Sequence, residues 1–231
     1  DLAVCVGPAD RVHVLWHAHW AGGPDGEAGR DLWINTSEDG GRTFQGARRL
    51  GIEGGVCACC SLTAASLADG GTLILYRSAE AGVMRDARLI RLDAAGAVQG
   101  RAHLSEWRTG QCPMSQASLL PTEDGVLAAW ETAGAIQAAR VRFTGSSMEL
   151  GRTVTLGQKA RHPSVARDGD GRILVAWSEG TGWNKGGAVA WQVFDEHFGP
   201  TTSVQRQNDL PVWGTVAAAA VPGRKGFELF Y

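Results

Sequence analysis

Four of the five cysteines lie in two short segments, where their spacing gives them a shared chemistry. Cys57, Cys59 and Cys60 fall within four consecutive residues, and Cys112 is followed closely by Met114. Thiolate and thioether sulfurs are soft ligands, which favour Cu(I) and, less selectively, zinc. The two segments therefore predict a soft-metal site, with copper as the expected ion and zinc as the alternative.

Two histidines, His17 and His19, are further candidates for this ligand set. Residues two positions apart on an extended segment point to the same side, so both imidazoles can face one ion. The alternative is that both are polar residues of a loop. The predicted metal ligands are Cys57, Cys59, Cys60, Cys112, Met114, His17 and His19.

The same cysteines can instead form disulfide bonds, which persist in oxidising compartments. A bridge from Cys112 to Cys57 or to Cys60 is conceivable, whereas a bond between the adjacent Cys59 and Cys60 would be strained. A redox-active pair is a third possibility, although Cys-x-Cys-Cys lacks the helix start that usually lowers a thiol pKa. Cys5 lies inside a strand pattern and is expected to be a small buried core residue. Sequence alone leaves metal binding and disulfide formation open.

The elements that position these residues form an internal repeat. An apolar strand, a Gly/Asp turn and a second apolar strand ending in an aromatic residue recur at residues 3–16, 63–76, 117–130, 164–177 and 218–231. Third strands are predicted at residues 30–36, 87–92, 136–143 and 188–194. The closing aromatic residues are 47 to 60 positions apart, which is the length of a four-stranded propeller blade.

The predicted fold is all-β, a β-propeller of five or six four-stranded blades in a single domain over residues 1–231, with blades starting near residues 1, 59, 114, 162 and 216. An irregular β-sandwich is the alternative, and five copies in register favour the propeller. The fifth copy turns at Pro222-Gly223-Arg224 and ends with its second strand. Because an unclosed ring leaves exposed strand edges, we expect an incomplete propeller in this chain, closed by a missing segment or by a protein partner.

One turn carries a recognisable motif, Ser37-Glu38-Asp39-Gly40-Gly41-Arg42-Thr43-Phe44. It matches Ser-x-Asp-x-Gly-x-Thr-aromatic, the Asp-box of the sialidase-like β-propellers, which this chain resembles. The Asp side chain can bond the backbone of its own turn, glycine supplies positive φ, and the aromatic side chain is expected to pack into the blade. The structural residues of the motif are Ser37, Asp39, Gly41, Thr43 and Phe44. Weaker versions begin at Asp93 and Asp195.

The cysteine segments carry a second resemblance. Cys-x-Cys-Cys at residues 57–60 and Trp-x-x-Gly-x-Cys-Pro at residues 107–113 are similar to segments of a bacterial group of sialidase-like propellers. That resemblance implies the fold and no settled activity. Blade geometry puts segments that enter first strands on one face, so the cysteines are expected at one mouth of the central channel. The same face is expected to hold His162, Glu179, Trp183 and Trp213, with the Asp-box turn on the opposite face.

The sialidase family also implies a retaining glycosidase, which needs three arginines, a tyrosine nucleophile with a glutamate base, and an aspartic acid. The Arg-Ile-Pro segment of the family is absent, and both tyrosines, Tyr76 and Tyr231, close second strands, where an aromatic residue is expected to pack. We therefore expect no sialidase activity. A glycoside hydrolase with unusual residues and a non-catalytic propeller subunit with structural disulfides are the alternatives.

The charge balance is nearly neutral, with a net charge of −2, which gives no reason to expect a nucleic acid partner. No apolar run approaches the roughly 20 residues that a membrane helix needs, so membrane insertion is not expected either. The cysteines and the fold resemblance together predict a secreted or periplasmic propeller whose cysteine-rich end binds a soft metal or is cross-linked.

Overall fold

The computed structural model describes residues 1–221 and 225–231, and its strands form five antiparallel sheets. The first sheet contains β1 (Leu2–Val6), β2 (Val12–His19), β3 (Arg30–Ser37) and β4 (Arg48–Arg49). The second sheet contains β5 (Thr63–Ser66), β6 (Thr72–Arg77), β7 (Ala87–Leu92) and β8 (Val98–Ser105). Neighbouring strands in these two sheets follow the order of the chain.

The other three sheets occupy the second half of the chain. The third contains β9 (Ala117–Thr122), β10 (Gly125–Thr132), β11 (Ala135–Thr144) and β12 (Ser147–Leu150), with β13 (Val154–Leu156) also paired to β11. The fourth contains β14 (Ala160–Arg167), β15 (Ile173–Glu179), β16 (Gly187–Phe194) and β17 (Gln205–Leu210), and the fifth β18 (Ala217–Ala220) and β19 (Phe227–Phe230). No helix in the described ranges is both long and apolar enough to cross a membrane.

These sheets confirm the predicted all-β fold and its repeating hairpins. In the first sheet Ala3 lies opposite Leu15, and in the second Thr63 lies opposite Leu75, as the repeat requires. Of the predicted third strands, β7 has the expected bounds, and β3, β11 and β16 are one or two residues longer. The fifth hairpin pairs β18 with β19, and its predicted turn at Pro222-Gly223-Arg224 lies outside the described residues.

Two burial patterns explain how the strands pack. Along β2 buried residues alternate with less buried ones, so that His13, Leu15 and His17 face the core together. By contrast, β6 and β10 are buried at every position, because both faces of these middle strands are covered. The middle strands therefore anchor their sheets, and candidate site residues lie at or just beyond strand ends.

Backbone contacts divide the chain into two compact units. The first unit comprises Asp1–Met114, Pro121–Gly125 and Arg142–Leu150, and the second comprises Ser115–Leu120, Val126–Val141 and Gly151–Tyr231. Each unit has its own apolar core, built around Leu15 and Ile74 in the first and around Trp177 and Phe194 in the second. A single domain over residues 1–231 stays a prediction.

Side-chain hydrogen bonds close the Asp-box turn between β3 and β4. Asp39 Oδ1 accepts from the Ser37 hydroxyl at 2.7 Å and from the Thr43 backbone N–H at 2.9 Å, and Oδ2 accepts from the Thr43 hydroxyl at 2.6 Å. These bonds, with Thr43 first, hold the pKa of Asp39 well below its ordinary value. Gly41 has the expected positive φ, 87°. Phe44 differs from expectation: it is 42% exposed, because the whole stretch from 41 to 49 runs along the surface.

The two weaker Asp-box sequences close in the same way. Asp93, between β7 and β8, accepts a hydrogen bond from the backbone N–H of Ala97 at 2.8 Å. Asp195, between β16 and β17, accepts one from the backbone N–H of Gly199 at 2.8 Å. An aspartate thus closes the turn after the third strand in three of the five sheets.

Candidate metal and thiol site

The segment that enters the second sheet brings three cysteine sulfurs together. Cys57 Sγ lies 3.5 Å from Cys59 Sγ and 3.2 Å from Cys60 Sγ. The three sulfurs all lie within 4.8 Å of one another, close enough to hold a metal ion. Among residues 1–221 and 225–231, no other group of three or more Cys, His, Asp or Glu side chains has its ligand atoms this close together.

The end of β6 holds this segment in place. The Cys57 backbone N–H donates to the Arg77 carbonyl at 2.9 Å, and Val56 forms an isolated bridge with Ser78. Cys57 and Cys60 are buried and pack together with Ala79, whereas Cys59 is only partly buried. The bend therefore directs two thiols into the first unit and the third sulfur outward.

Cys59 forms a disulfide bond with Cys112, and their Cα atoms are 6.4 Å apart. This pairing corrects the expected bridges from Cys112 to Cys57 or Cys60. The direction of the side chains explains it, because the exposed Cys112 meets the outward member of the segment. Cys57 and Cys60 are thiols outside the disulfide, as is Cys5, which lies in the core of the first unit as predicted.

Local interactions keep the Cys57 thiol protonated. Its hydrogen bond to Cys60 and its burial raise the pKa of Cys57 far above the ordinary value, and the negative charge of Glu27 acts in the same direction. A thiolate is the form that binds metal, so a metal ion entering this site must displace protons.

Glu27 is a part of the site that sequence reasoning missed. Its Oε1 accepts a hydrogen bond from the Ala58 backbone N–H at 2.6 Å, and its Oε2 lies 2.6 Å from Arg85 Nη2. Arg85 is buried, and its Nε and Nη1 have no hydrogen-bond partner among the described residues. One carboxylate thus ties the middle of the cysteine segment to a buried guanidinium.

A glycine gives the signal that could have located this contact. Gly55 has φ of 82°, and a β-carbon there would collide with the backbone of Glu27 and Ala28. The glycine at position 55, two residues before Cys57, is therefore required by the close approach of the segment that carries Glu27.

Among the described residues, the two histidines predicted as metal ligands, His17 and His19, lie outside the group of three clustered cysteines. His17 is buried, its Nε2 lies 3.2 Å from the Asp1 main-chain nitrogen, and its Nδ1 lies 3.1 Å from Arg30 Nη1. Burial, with the positive charge of Arg30, lowers the pKa of His17 to about 4. His19 is exposed at the end of β2, and Met114 is half-buried two positions after the disulfide cysteine. Coordination by these three residues stays a prediction.

A second candidate site lies in the second unit and is aromatic. Trp183 is 74% exposed and stacks on Trp213, with ring centroids 4.2 Å apart and an interplanar angle of 19°. The Arg161 guanidinium lies 5.0 Å from the Trp213 ring centroid, and Arg161 Nε lies 3.3 Å from Oε1 of the buried Glu131. The ring of His162 meets Trp213 edge-on at 6.3 Å.

Backbone hydrogen bonds fix the two loops that carry these tryptophans. The Trp213 N–H donates to the Gly182 carbonyl at 3.2 Å, and the Gly182 N–H donates to the Lys185 carbonyl at 3.0 Å. Trp213 and His162 have φ of 57° and 53°, which is costly for bulky side chains. Strained conformations of this kind concentrate at functional sites and are maintained by surrounding structure.

Tyr76 lies in the core of the first unit and is 4% exposed. Burial raises the pKa of its hydroxyl, the opposite of what activates a nucleophile. It borders a cleft of about 400 Å³ on the second sheet, lined also by Arg88, Arg101, His103 and Glu106. The second tyrosine, Tyr231, is 54% exposed.

Comparison with solved structures shows the sialidase-like propeller fold. The GH93 α-L-arabinofuranosidase of Fusarium graminearum, in complex with arabinobiose, has a TM-score of 0.64 and 12% identity, over 99% of this chain and 72% of that one. The α-L-arabinanase of Penicillium chrysogenum, complexed with arabinobiose, has a TM-score of 0.61 and 12% identity, over 96% and 71%. The Hadza microbial sialidase Hz136 has a TM-score of 0.56 and 14% identity, over 94% and 47%.

No protein-family model matches this sequence, and no curated protein matches it. The likeness to solved structures is therefore distant, and at 12–14% identity it shows a shared fold without carrying an activity across.

Proposed function

We propose that this chain is a secreted or periplasmic sialidase-like propeller that binds a soft metal ion, copper in its cuprous form, through the Cys57–Cys60 segment. The observation that carries the proposal is the group of three sulfurs within 4.8 Å of one another, two of them buried thiols outside the disulfide.

The ligand chemistry favours copper over zinc. Structural zinc sites use four nitrogen or sulfur ligands, whereas the oxidised cluster offers two thiols beside a disulfide. Soft sulfur donors select Cu(I), which accepts a small ligand number, and the disulfide sulfur of Cys59, 3.5 Å from Cys57 Sγ, is a weaker third donor. Hard ions such as calcium need oxygen ligands, and the sulfur cluster supplies none.

The Cys59–Cys112 disulfide supports the proposed location. Disulfides form and persist in the periplasm and outside the cell, and are rare where glutathione and thioredoxin keep thiols reduced. A cluster that keeps two buried thiols beside a disulfide in such a compartment is protected from further oxidation by its burial.

The test is a Cu(I) titration of the oxidised, untagged chain against a competing chelator. We expect about one ion per chain, with binding weakened roughly tenfold or more in Cys57→Ser and Cys60→Ser because each variant removes one thiolate. Cys5→Ser is the matched control, since Cys5 is also a buried thiol of the first unit outside the disulfide. Equal copper binding by wild type and the Cys57→Ser and Cys60→Ser variants would refute the proposal.

A second candidate function is carbohydrate binding in the second unit. The observation that favours it is the stacked pair Trp183 and Trp213, whose outer ring is 74% exposed. A flat exposed indole can stack on the apolar face of a sugar ring, and the Arg161 guanidinium lies 5.0 Å from the Trp213 ring centroid, at the edge of this surface. Two fold relatives were solved with arabinobiose bound, which makes that disaccharide a sensible first probe.

Tryptophan fluorescence can measure this second function directly. Arabinobiose and a panel of other oligosaccharides are titrated into the wild type, Trp183→Ala and Trp183→Phe. We expect a saturable change in the wild type, loss of binding in Trp183→Ala, and partial retention in Trp183→Phe, which keeps an aromatic face. Saturable binding that Trp183→Ala leaves unchanged would exclude this surface.

A further inference from the structure

The four clustered cysteine sulfurs, those of Cys57, Cys59, Cys60 and Cys112, form a graded series from surface to interior. Cys112 is exposed, Cys59 is partly buried, and Cys57 and Cys60 are 1% and 3% exposed. The Cys57 sulfur lies 3.5 Å from the Cys59 half of the disulfide and 3.2 Å from the Cys60 sulfur. The Cys57 thiol is thus in contact with a disulfide sulfur, and the Cys60 thiol is in contact with the Cys57 thiol.

We propose that this cluster carries out thiol–disulfide exchange, moving the disulfide from the surface pair Cys59–Cys112 to the buried pair Cys57–Cys60. This activity needs no metal. It uses the same Cys57 and Cys60 thiols as the proposed copper site, so it is tested on metal-free protein, separately from copper binding. Its outward-facing reactants are thiols or disulfides of other molecules, which can reach the sulfur of Cys112.

The first step is an attack by the Cys57 thiolate on the sulfur of Cys59. A bond forms between the sulfurs of Cys57 and Cys59, and the bond between Cys59 and Cys112 breaks. The bonding electron pair leaves on the Cys112 sulfur, which takes up the proton that Cys57 released. Bonds, electrons and protons balance, so no external oxidant is needed.

The second step repeats this chemistry one position further inward. The Cys60 thiolate attacks the sulfur of Cys57, the Cys57–Cys59 bond breaks, and Cys59 leaves as a thiol. The chain then holds a buried Cys57–Cys60 disulfide and two thiols, Cys59 and Cys112, at the outer side. In the reverse direction the buried disulfide is returned to the surface, where an external thiol can reduce it.

The short distances between the sulfurs make this exchange possible at a measurable rate. Holding the sulfurs in contact replaces a bimolecular encounter with an intramolecular one, which is worth a large effective concentration. A slow exchange over minutes to hours is therefore expected.

The experiment uses the oxidised, metal-free full chain and a maleimide attached to polyethylene glycol. This probe is too large to reach the buried thiols, whereas a thiol released at Cys112 is at the surface. We expect Cys112 to become labelled over minutes to hours. Peptide mapping after acid quench should find a Cys57–Cys59 or Cys57–Cys60 disulfide in the labelled chains.

Three variants give the assay its controls. Cys57→Ser should lower labelling of Cys112 roughly tenfold or more, because the first nucleophile is gone. Cys60→Ser should retain labelling but stop the disulfide at Cys57–Cys59, and Cys5→Ser should behave as the wild type.

The wild type alone can overturn the proposal, even where a variant fails to fold. If Cys112 stays unlabelled overnight and Cys59–Cys112 is still the disulfide found, no exchange takes place. Simultaneous labelling of Cys57, Cys60 and Cys112 would show that the chain unfolds and that no exchange is needed to explain the labelling. Equal labelling of Cys112 in the wild type and in Cys57→Ser would show that Cys57 does not release Cys112.

Discussion

At the scale of single residues, the cysteine site depends on a carboxylate that is not itself a sulfur ligand. Glu27 accepts a hydrogen bond from the Ala58 backbone and pairs with Arg85, whose side chain is 8% exposed. Removing one partner of such a pair leaves a buried charge without its counter-charge, which costs more than the pair contributes when it is formed. Glu27 therefore connects the stability of the first unit to the position of its thiols.

Glu27→Ala should destabilise the chain by about 3 kcal/mol, because Arg85 stays buried without its counter-charge. Urea denaturation followed by fluorescence measures the change. The control is Glu38→Ala, because Glu38 pairs with Arg11 at the surface, where a lost ion pair costs about 0.5 kcal/mol or less. Equal effects of the two substitutions would show that the Glu27–Arg85 pair is no more important than a surface contact.

Residue-scale geometry is also where sequence reasoning reached its limit. The convergence of Cys57, Cys59, Cys60 and Cys112 was predictable, because both cysteine segments precede first strands of the repeat. Which cysteine bonds Cys112 was not, since the bend at residues 57–60 alone decides which sulfur points outward. The role of Glu27 was equally hidden, because it depends on a contact between segments about 30 residues apart.

At the scale of elements, the turns do most to specify the fold. The strand pattern and the Gly/Asp turns predicted β7 to the residue, because the apolar pattern of a strand and the chemistry of its turns are local properties. The exposure of Phe44 was not predictable, since it depends on how far β4 extends along β3, and β4 has two residues.

The Asp-box predicts an acid-sensitive contribution to stability. The lowered pKa of Asp39 means that the folded state favours its charged form, so the contribution is present above the unfolded-state pKa, near 3.8. As pH falls below about 4 the unfolded state takes up the proton first, and this stabilisation is progressively lost. Asp39→Asn should therefore lower Tm at neutral pH and flatten the fall of Tm in acid, without changing copper binding.

Thermal melts of wild type and Asp39→Asn between pH 3 and pH 7 test this prediction. Glu38→Gln is the neighbouring control, since its carboxylate makes a surface ion pair and no bond within the turn. Parallel Tm curves for wild type and Asp39→Asn would mean that the turn does not hold the carboxylate in its charged form.

At the scale of the whole molecule, one covalent bond links segments that are far apart in the chain. The Cys59–Cys112 disulfide spans 53 residues, including the whole of the second sheet. Closing a loop of that length in the unfolded state is worth about 4 kcal/mol on the chain-entropy estimate. The disulfide therefore joins the segment before the second sheet to the segment after it, in addition to the packing of that sheet's core.

Loss of this bond should be visible in global stability. Cys112→Ser should lower the free energy of unfolding by up to about 4 kcal/mol, less whatever an alternative disulfide at Cys57 restores. Denaturation of Cys112→Ser and of the double variant Cys57→Ser with Cys112→Ser separates the two contributions, and Cys5→Ser serves as the control. A Cys112→Ser variant as stable as the wild type would mean that the bond does not form in solution.

The fold of the whole molecule does not carry the sialidase reaction with it. A retaining sialidase needs a tyrosine nucleophile that reaches its substrate, whereas Tyr76 is 4% exposed with a raised pKa and packs in the core of the first unit. We expect no turnover of a fluorogenic sialoside above a no-enzyme blank, over a range of pH and with or without copper. Turnover that Tyr76→Phe abolishes while the melting curve is unchanged would contradict this expectation and make Tyr76 catalytic.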